Sequence, residues 1–195
     1  MPLLILIVSY LIGNFSSSYI IGKITANIDI RDYGSGNAGT TNVMRTLGYK
    51  AAAMTLLLDC LKGVISVVLA KKFASNNLAL LAGIVVVVGH NWPILLGLKG
   101  GKGIATTIGV VTSISSGMAL ICIGFGLVIL IIFKYVSLAA MLAIILLTIL
   151  MFFKGWNYFI FSLTLLLLAL YQHRGNIQRL IEGKERKVTD RIEAK

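Results

Sequence analysis

The sequence predicts an all-α membrane protein that crosses the bilayer several times. Hydrophobic residues make up 57% of the 195-residue chain and charged residues only 13%, whereas a soluble domain carries about 25% charged residues. The apolar residues form long runs, and most basic residues lie between these runs. Membrane topology therefore explains the net charge of +11, and we do not expect nucleic acid as a partner.

Seven apolar runs are candidates for spanning helices, each of which needs about 20 residues. They are residues 3–22, 51–70, 78–96, 104–116, 117–133, 136–153 and 156–172. The stretch 104–133 is too long for one ordinary span, and its small polar residues at 113–117 predict a break. The first helix of this pair would then be short, at roughly 20 Å by helical rise.

The basic residues predict an odd number of spans, about seven, with the N-terminus outside and the C-terminus in the cytoplasm. The first apolar run precedes Lys23, whereas a cleaved signal peptide has positive charge before its apolar core. With seven spans the basic tail lies inside, and with six it moves outside. A five-span version, in which parts of 104–172 do not cross, stays open. We expect a single transmembrane domain over residues 1–195.

The cysteine and histidine residues predict no metal site. Cys60 and Cys122 both lie in apolar runs, so we expect two buried thiols and no disulfide. His90 and His173 are far apart in the sequence and no cysteine lies beside them, which argues against metal ligation. We expect neither a metal nor a cofactor.

A polar, glycine-rich loop at 34–42 predicts an anion site. The pattern Gly34-x-Gly36-x-x-Gly39 matches the dinucleotide fingerprint, but that fingerprint needs a βαβ unit, for which this chain has no room. It is not a P-loop, because no lysine follows Gly39. Glycines let backbone N–H groups turn inward and bind anions, and a helix beginning after Asn42 would help. The alternative is a flexible loop with helix caps.

A second glycine-rich loop at 97–103 is also cationic, and both loops lie on the predicted inner side. No acidic residue occurs at 34–50 or 97–107, where Arg45, Lys99 and Lys102 are found. Topology alone would explain Lys99, but the glycines around Lys102 indicate a phosphate site. The candidate phosphate-binding residues are Ser35, Gly36, Asn37, Thr40, Thr41, Asn42, Arg45, Gly100, Gly101 and Gly103, with Lys102 beside them.

Two charged residues interrupt an apolar run. Asp59 and Lys62 are three residues apart on one helical face. A charge at membrane depth suggests function, but this spacing also lets the two neutralise each other as an ion pair that packs helices together. We favour the ion pair, and we interpret His90, which precedes the membrane-interface pattern Trp92-Pro93, as structural.

The end of the last apolar run carries a second polar group. His173 and Asn176 share a helical face beside Arg174, and residues 173–187 resemble a basic amphipathic helix along the membrane surface. Histidine in such a setting is a candidate general base. Ser137 follows the inner end of another run, where it is either an N-cap or a hydroxyl donor to the site.

Together these segments resemble the three motif regions of the acyl-phosphate:glycerol-3-phosphate acyltransferases, a family of bacterial integral-membrane enzymes. The matching segments are Gly34–Asn42, Gly100–Gly103, and His173-x-x-Asn176-Ile177 with Arg179-Leu180, with further likeness at Asp59–Gly63 and Gly89-His90. The resemblance covers nearly the whole chain in motif order. One departure is Lys184, where a threonine is expected.

The resemblance implies a catalytic domain in the bacterial inner membrane, with its site facing the cytoplasm. It would transfer a long-chain acyl group from acyl phosphate, a membrane lipid, to the 1-hydroxyl of glycerol 3-phosphate, giving lysophosphatidic acid and phosphate at the start of phospholipid synthesis. The implied catalytic residues are His173, Asn176, Lys102 and Ser137. His173 is the protein's candidate base, and a substrate phosphate oxygen is an equal rival.

Other interpretations stay open at this point. A small transporter or channel for a phosphorylated anion would also use glycine-rich loops, although no inverted repeat is seen and the loops lie on one side. A membrane scaffold would not need two anion loops. A soluble enzyme that makes acyl phosphate could dock on the basic tail.

Overall fold

The computed structural model describes residues 1–190, and within them the chain is helical without strands. The all-α prediction is confirmed. The helices are α1 (Pro2–Asn14), α2 (Ser17–Ala26), α3 (Thr40–Leu47), α4 (Tyr49–Phe73), α5 (Asn76–Asn91), α6 (Ile104–Ile114), α7 (Ser116–Phe133), α8 (Val136–Lys154), α9 (Trp156–Gln172) and α10 (Arg174–Ile181). Two short 3₁₀ turns lie at Ile30–Asp32 and Ile94–Leu96.

Five segments of the described chain are long and apolar enough to cross a membrane. They are Pro2–Ala26, Tyr49–Phe73, Asn76–Leu96, Ser116–Phe133 and Val136–Lys154. The two remaining predicted spans correspond to the shorter apolar helices α6 and α9. Many large apolar side chains point outward, for example Ile131 at 75% and Phe153 at 81% exposure, as expected of helices that face lipid.

The ambiguous stretch 104–133 is broken where its small polar residues predicted. Helix α6 ends at Ile114 and α7 begins at Ser116, with Ser115 as its extended N-cap residue. With 11 residues, α6 is shorter than predicted, at roughly 16 Å by helical rise. A helix also occurs at the predicted tail position, as α10, while its placement on the membrane surface stays a prediction.

The described chain divides into two compact units, Met1–Ile114 and a second unit that begins at Ser115. That they act as one catalytic domain stays a prediction. In the first unit, α4 packs against both α5 and α6, and α1 packs against α5. Glycines allow these close crossings, because a Cβ at Gly13 would meet the backbone of Gly89 and one at Gly109 would meet the backbone of Cys60.

In the second unit, α8 packs between α7 and α9. Its buried core includes Met151 of α8 with Phe161 and Leu165 of α9. Cys122 of this unit and Cys60 of the first are both free thiols, and Cys122 is buried as predicted, whereas Cys60 is only half-buried.

Candidate active site

The first glycine-rich loop is shaped by positive backbone angles and by one buried amide. Gly34 and Gly36 have φ of 63° and 71°, a region that glycine adopts without strain. The Asn42 Nδ2 donates to the carbonyls of Ile30 at 2.9 Å and Tyr33 at 3.0 Å, and its Oδ1 accepts from the Ser35 N–H at 2.9 Å. Asn42 therefore holds the loop, whereas the sequence placed it among the phosphate ligands.

Most backbone N–H groups of this loop are already used by the protein. Those of Gly36, Ala38 and Gly39 donate to the carbonyls of Tyr33, Gly100 and Asn37 at 3.0, 3.4 and 3.0 Å. Turns and loop–loop contacts therefore satisfy these N–H groups within the protein, and phosphate binding by the loop stays a prediction.

Helix α3 begins three residues earlier than predicted, at Thr40 instead of after Asn42. Its N-cap residue is Gly39, which has no side chain that could cap the helix. Thr40 and Thr41 therefore lie in the first helical turn, where the helix dipole favours anions. Arg45 lies on the same helix and is half-buried.

Arg31 connects the two 3₁₀ turns that precede the first and second loops. Its Nη2 contacts Asp29 Oδ2 at 2.6 Å, and its Nη1 donates to the Leu96 carbonyl at 2.8 Å. The side-chain hydrogen bonds from Arg31 are the main reason why the pKa of Asp29 lies below its usual value. No local pattern in the sequence marks Arg31, because its carbonyl partner lies 65 residues away.

The second loop is attached to the C-terminal end of α5. The N–H groups of Gly100 and Gly101 donate to the carbonyls of Asn91 at 3.2 Å and His90 at 3.1 Å. These two glycines therefore allow close backbone packing against α5, and their predicted place at a phosphate site stays a prediction. Gly103 has φ of 80°, and the half-buried Lys102 lies between these glycines.

The predicted ion pair in α4 is confirmed. Lys62 Nζ lies 2.8 Å from Asp59 Oδ1, and both side chains are almost fully buried. His90 joins this pair, since its Nδ1 lies 2.6 Å from Lys62 Nζ. His90 thus belongs to a buried polar cluster, in line with its interpretation as structural.

In the second unit, a carboxylate that the sequence analysis missed gathers the predicted polar residues. Glu185 Oε1 accepts from Ser137 Oγ at 2.7 Å and from Asn176 Nδ2 at 2.6 Å, and its Oε2 accepts from Arg179 Nε at 2.8 Å. Burial raises the pKa of Glu185, but the hydrogen bonds from Asn176, Ser137 and Arg179 outweigh it and leave the pKa lowered.

The structure corrects the position of Ser137 and orients His173. Tyr135 is the N-cap of α8 and Ser137 its second residue, so the predicted N-cap role is wrong. The His173 ring is buried, and its Nδ1 lies 2.8 Å from the Ala169 carbonyl. Because a carbonyl only accepts, Nδ1 carries the proton and the basic nitrogen of the neutral ring is Nε2.

The departure from the family pattern lies at the surface. The Lys184 side chain is 74% exposed and pairs with Glu182 at 3.2 Å. The tail around it still packs on its own unit, since the Val188 N–H donates to the Lys134 carbonyl at 2.8 Å. Lysine in place of the expected threonine at position 184 therefore leaves the Glu185 contacts intact.

These observations define a helical membrane protein with polar, cationic loops, and comparison with known proteins gives its family. The model of the family described as glycerol-3-phosphate acyltransferase matches residues 3–183. A glycerol-3-phosphate acyltransferase of Alkaliphilus metalliredigens is 57% identical over 95% of each chain, and one of Clostridioides difficile is 45% identical over 98% of this chain and 97% of its own. The chain belongs to the glycerol-3-phosphate acyltransferase family.

Two crystal structures are similar in fold. Both are of PlsY (YgiH), an integral membrane glycerol 3-phosphate acyltransferase. The glycerol 3-phosphate form has a TM-score of 0.90 and 37% identity, and the lysophosphatidic acid form has 0.88 and 36%. Each match covers 95% of this chain and 94% of the other. The predictions of an integral membrane protein, of this family and of an acyltransferase activity are confirmed.

Proposed function

We propose that this protein transfers a fatty acyl group from acyl phosphate to the 1-hydroxyl of glycerol 3-phosphate. The observation that supports it best is the junction of the two anion loops, where the Ala38 N–H donates to the Gly100 carbonyl. This contact sets the donor-rich first loop beside the loop that carries Lys102. The relatives' names and the ligand in the similar PlsY crystal structure support glycerol 3-phosphate as the acceptor.

Side chains, rather than the loop N–H groups, bind the substrate phosphates in this proposal. Ser35, Asn37, Thr40 and Thr41 supply hydroxyl and amide donors, and the first turn of α3 adds its dipole. Arg45 and Lys102 hold the phosphate of glycerol 3-phosphate and stabilise charge on the leaving group. Their long side chains stand on elements whose backbones are fixed by the contacts described above. Gly36, Asn42, Gly100, Gly101 and Gly103 shape these elements.

The reaction requires loss of one proton from the acceptor hydroxyl. The hydroxyl oxygen bonds to the acyl carbon, the carbon–oxygen bond to phosphate breaks, and inorganic phosphate leaves. His173 is the protein's candidate base through Nε2, and a phosphate oxygen of a substrate is the equal rival. Acyl phosphate is a mixed anhydride and already activated, so positioning and charge stabilisation supply most of the acceleration.

Asn176 and Ser137 act as polar groups of the site that Glu185 keeps oriented. The Ser137 hydroxyl donates its proton to a hydrogen bond with Glu185, so its oxygen is the atom that can accept a hydrogen bond from a substrate. The Asn176 amide has a second N–H besides the one given to Glu185.

The deciding experiment is phosphate release by the purified, detergent-solubilised protein given palmitoyl phosphate and glycerol 3-phosphate. Release that depends on glycerol 3-phosphate and yields lysophosphatidic acid is expected, and its absence from a folded preparation would refute the proposal. Lys102→Ala and Arg45→Ala should raise the KM for glycerol 3-phosphate or lower turnover, whereas the exposed control Lys184→Ala should not. If His173→Ala keeps most of its turnover, the substrate phosphate is the base.

We further propose seven spans, an outer N-terminus and a site that faces the cytoplasm of a bacterial inner membrane. Five long apolar segments with α6 and α9 give this number. In a variant whose two native cysteines are replaced by serine, Lys72→Cys should react with an impermeant maleimide on intact cells. Lys184→Cys should react only after the membrane is opened, and labelling of Lys184→Cys on intact cells would reverse the topology.

The basic tail is the proposed docking point for a soluble enzyme that makes acyl phosphate. Arg186 and Lys187 are exposed, so an acidic surface could approach them. A pull-down at low and high salt tests the idea, with binding expected to weaken as salt rises. No binding at either salt concentration would exclude it.

A further inference from the structure

The first apolar segment is not one continuous helix, and its break lies beside the buried ion pair. Helix α1 ends at Asn14 and α2 begins at Ser17, with Phe15 and Ser16 in extended conformations. A break inside a membrane segment leaves backbone groups that lipid cannot satisfy. Some protein group must therefore bond to the end of α1 and the start of α2.

The Asp59–Lys62 pair meets the two sides of this break with matching charge. Lys62 Nζ donates to the carbonyls of Phe15 at 3.0 Å and Gly13 at 3.4 Å, at the negative C-terminal end of α1. Asp59 Oδ1 accepts from Ser17 Oγ at 2.9 Å, at the positive N-terminal end of α2. Each charge thus lies at the helix end whose dipole favours it.

His90 extends this cluster toward the second loop. The Lys62 ammonium can only donate hydrogen bonds, and the His90 Nδ1 lies 2.6 Å from it. Nδ1 therefore accepts, and the His90 proton sits on Nε2. The ring is 6% exposed, so the cluster fixes its orientation on one side and the loop contacts it on the other.

The far edge of the His90 ring determines how close the loop can come. A Cβ at Gly101 would overlap His90 Nε2 and lie 2.6 Å from the Ala38 carbonyl oxygen. The Gly101 N–H also donates to the His90 carbonyl. His90 therefore touches the loop through both ring and backbone, next to the residue that precedes Lys102.

We propose that Asp59, Lys62 and His90 form a positioning unit that sets the Gly100–Gly103 loop for the phosphate of glycerol 3-phosphate. This role rests on the proposed function of Lys102. None of the three touches substrate in this proposal. They act by holding the loop at the distance from α5 that brings Lys102 to its working position.

The test is a set of variants assayed separately for the two substrates. His90→Asn keeps an acceptor for Lys62 but removes the ring edge beneath Gly101. It should raise the KM for glycerol 3-phosphate about tenfold, because small misplacements of positioning groups are costly. The KM for palmitoyl phosphate should change by less than about twofold. Ser66→Ala, at another buried polar position, on α4, is the control and should leave both values unchanged.

Gly101→Ala provides a second route that leaves the buried cluster intact. Alone it should raise the KM for glycerol 3-phosphate, because the new methyl overlaps His90 and Ala38. In the His90→Asn background the same change should have a smaller effect, since one of its two overlaps is gone. Equal effects in both backgrounds would mean that the ring does not set the loop, and the proposal would be wrong.

Binding without turnover separates this proposal from the proposed function. Glycerol 3-phosphate should stabilise the wild-type protein against thermal unfolding, as any ligand of the folded state does. His90→Asn should lose most of that shift. If wild-type protein releases phosphate but His90→Asn and Gly101→Ala keep a normal KM and shift, the positioning role fails and the enzyme stands. If wild-type protein shows the shift without phosphate release, and His90→Asn loses it, the enzyme fails and the positioning role stands.

Discussion

Replacing Glu185 by glutamine should destabilise the protein, because one carboxylate accepts three hydrogen bonds. A hydrogen bond to a charged group contributes about 1.5–3 kcal/mol, roughly twice a neutral one. Neutralising Glu185 thus costs about 1 kcal/mol at each of Ser137 and Asn176. The Arg179 pair adds less than about 1 kcal/mol, because that side chain is 45% exposed. The expected total is about 2–3 kcal/mol.

The measurement is reversible unfolding in detergent micelles, followed by circular dichroism, with Glu182→Gln as the matched control. Glu182 lies on the same tail, but its side chain is 39% exposed and it pairs with the exposed Lys184. Its replacement should change the free energy of unfolding by less than about 0.5 kcal/mol. Activity of Glu185→Gln should fall as well, because the common acceptor of Asn176 and Ser137 becomes neutral and holds them less firmly.

The pH dependence of stability gives an independent check. The folded-state pKa of Glu185 is lowered from 4.5, so its contribution is present above that unfolded-state value and is lost as the pH falls through the folded-state pKa. Wild-type protein should therefore lose stability below about pH 4.5 relative to Glu185→Gln. The hydrogen-bond reasoning is refuted if Glu185→Gln is as stable as Glu182→Gln and if wild-type protein and Glu185→Gln lose the same stability in acid.

Three further variants test the buried contacts. Asp59→Asn should destabilise by about 3–5 kcal/mol, since it leaves Lys62 buried without its counter-charge, and adding Lys62→Met should recover part of this loss in the same unfolding assay. Gly109→Ala should destabilise the protein by more than about 2 kcal/mol, because the new methyl overlaps the Cys60 backbone of α4. Its control is Gly124→Ala, where a Cβ would meet open space, and this change should be neutral or slightly stabilising. Asn42→Ala should raise the KM for glycerol 3-phosphate about tenfold in the phosphate-release assay by releasing the first loop, and an unchanged KM would contradict its clamping role.

The helices were predictable because hydropathy and charge are local signals. The break between α6 and α7 followed from small polar residues that interrupt an apolar run. The break between α1 and α2 was not predicted, because residues 3–22 have the length of a single span. Gly13, Asn14 and the serines at 16–18 interrupt this run much as the small polar residues at 113–117 interrupt the later one. The bond from Lys62 of another helix to the Phe15 carbonyl was not predictable either, because hydropathy along one segment contains no tertiary contact.

The candidate site was predictable in its residue types but not in its bonding. Glycines and asparagine in one loop predicted an anion site, yet the same residues also bond to each other. The Asn42 side chain bonds to the backbone around its own loop, and the Gly101 N–H donates to the His90 carbonyl at the end of α5. Glu185 was missed because an acidic residue in a basic tail is usually a solvent-exposed side chain. Only the fold shows that it lies against Ser137, 48 residues away.

The buried charges of this protein are explained by the polar groups around them rather than by attraction within each pair. The Asp59–Lys62 spacing predicted an ion pair, and a pair alone could be replaced by apolar residues with little loss. Here each member also bonds to one side of the helix break, where opposite signs are required. Glu185 follows the same logic, since it accepts from neutral donors as well as from Arg179. In a membrane protein, a buried charge therefore points to nearby polar groups that lipid cannot satisfy, and those groups show which element the charge holds in place.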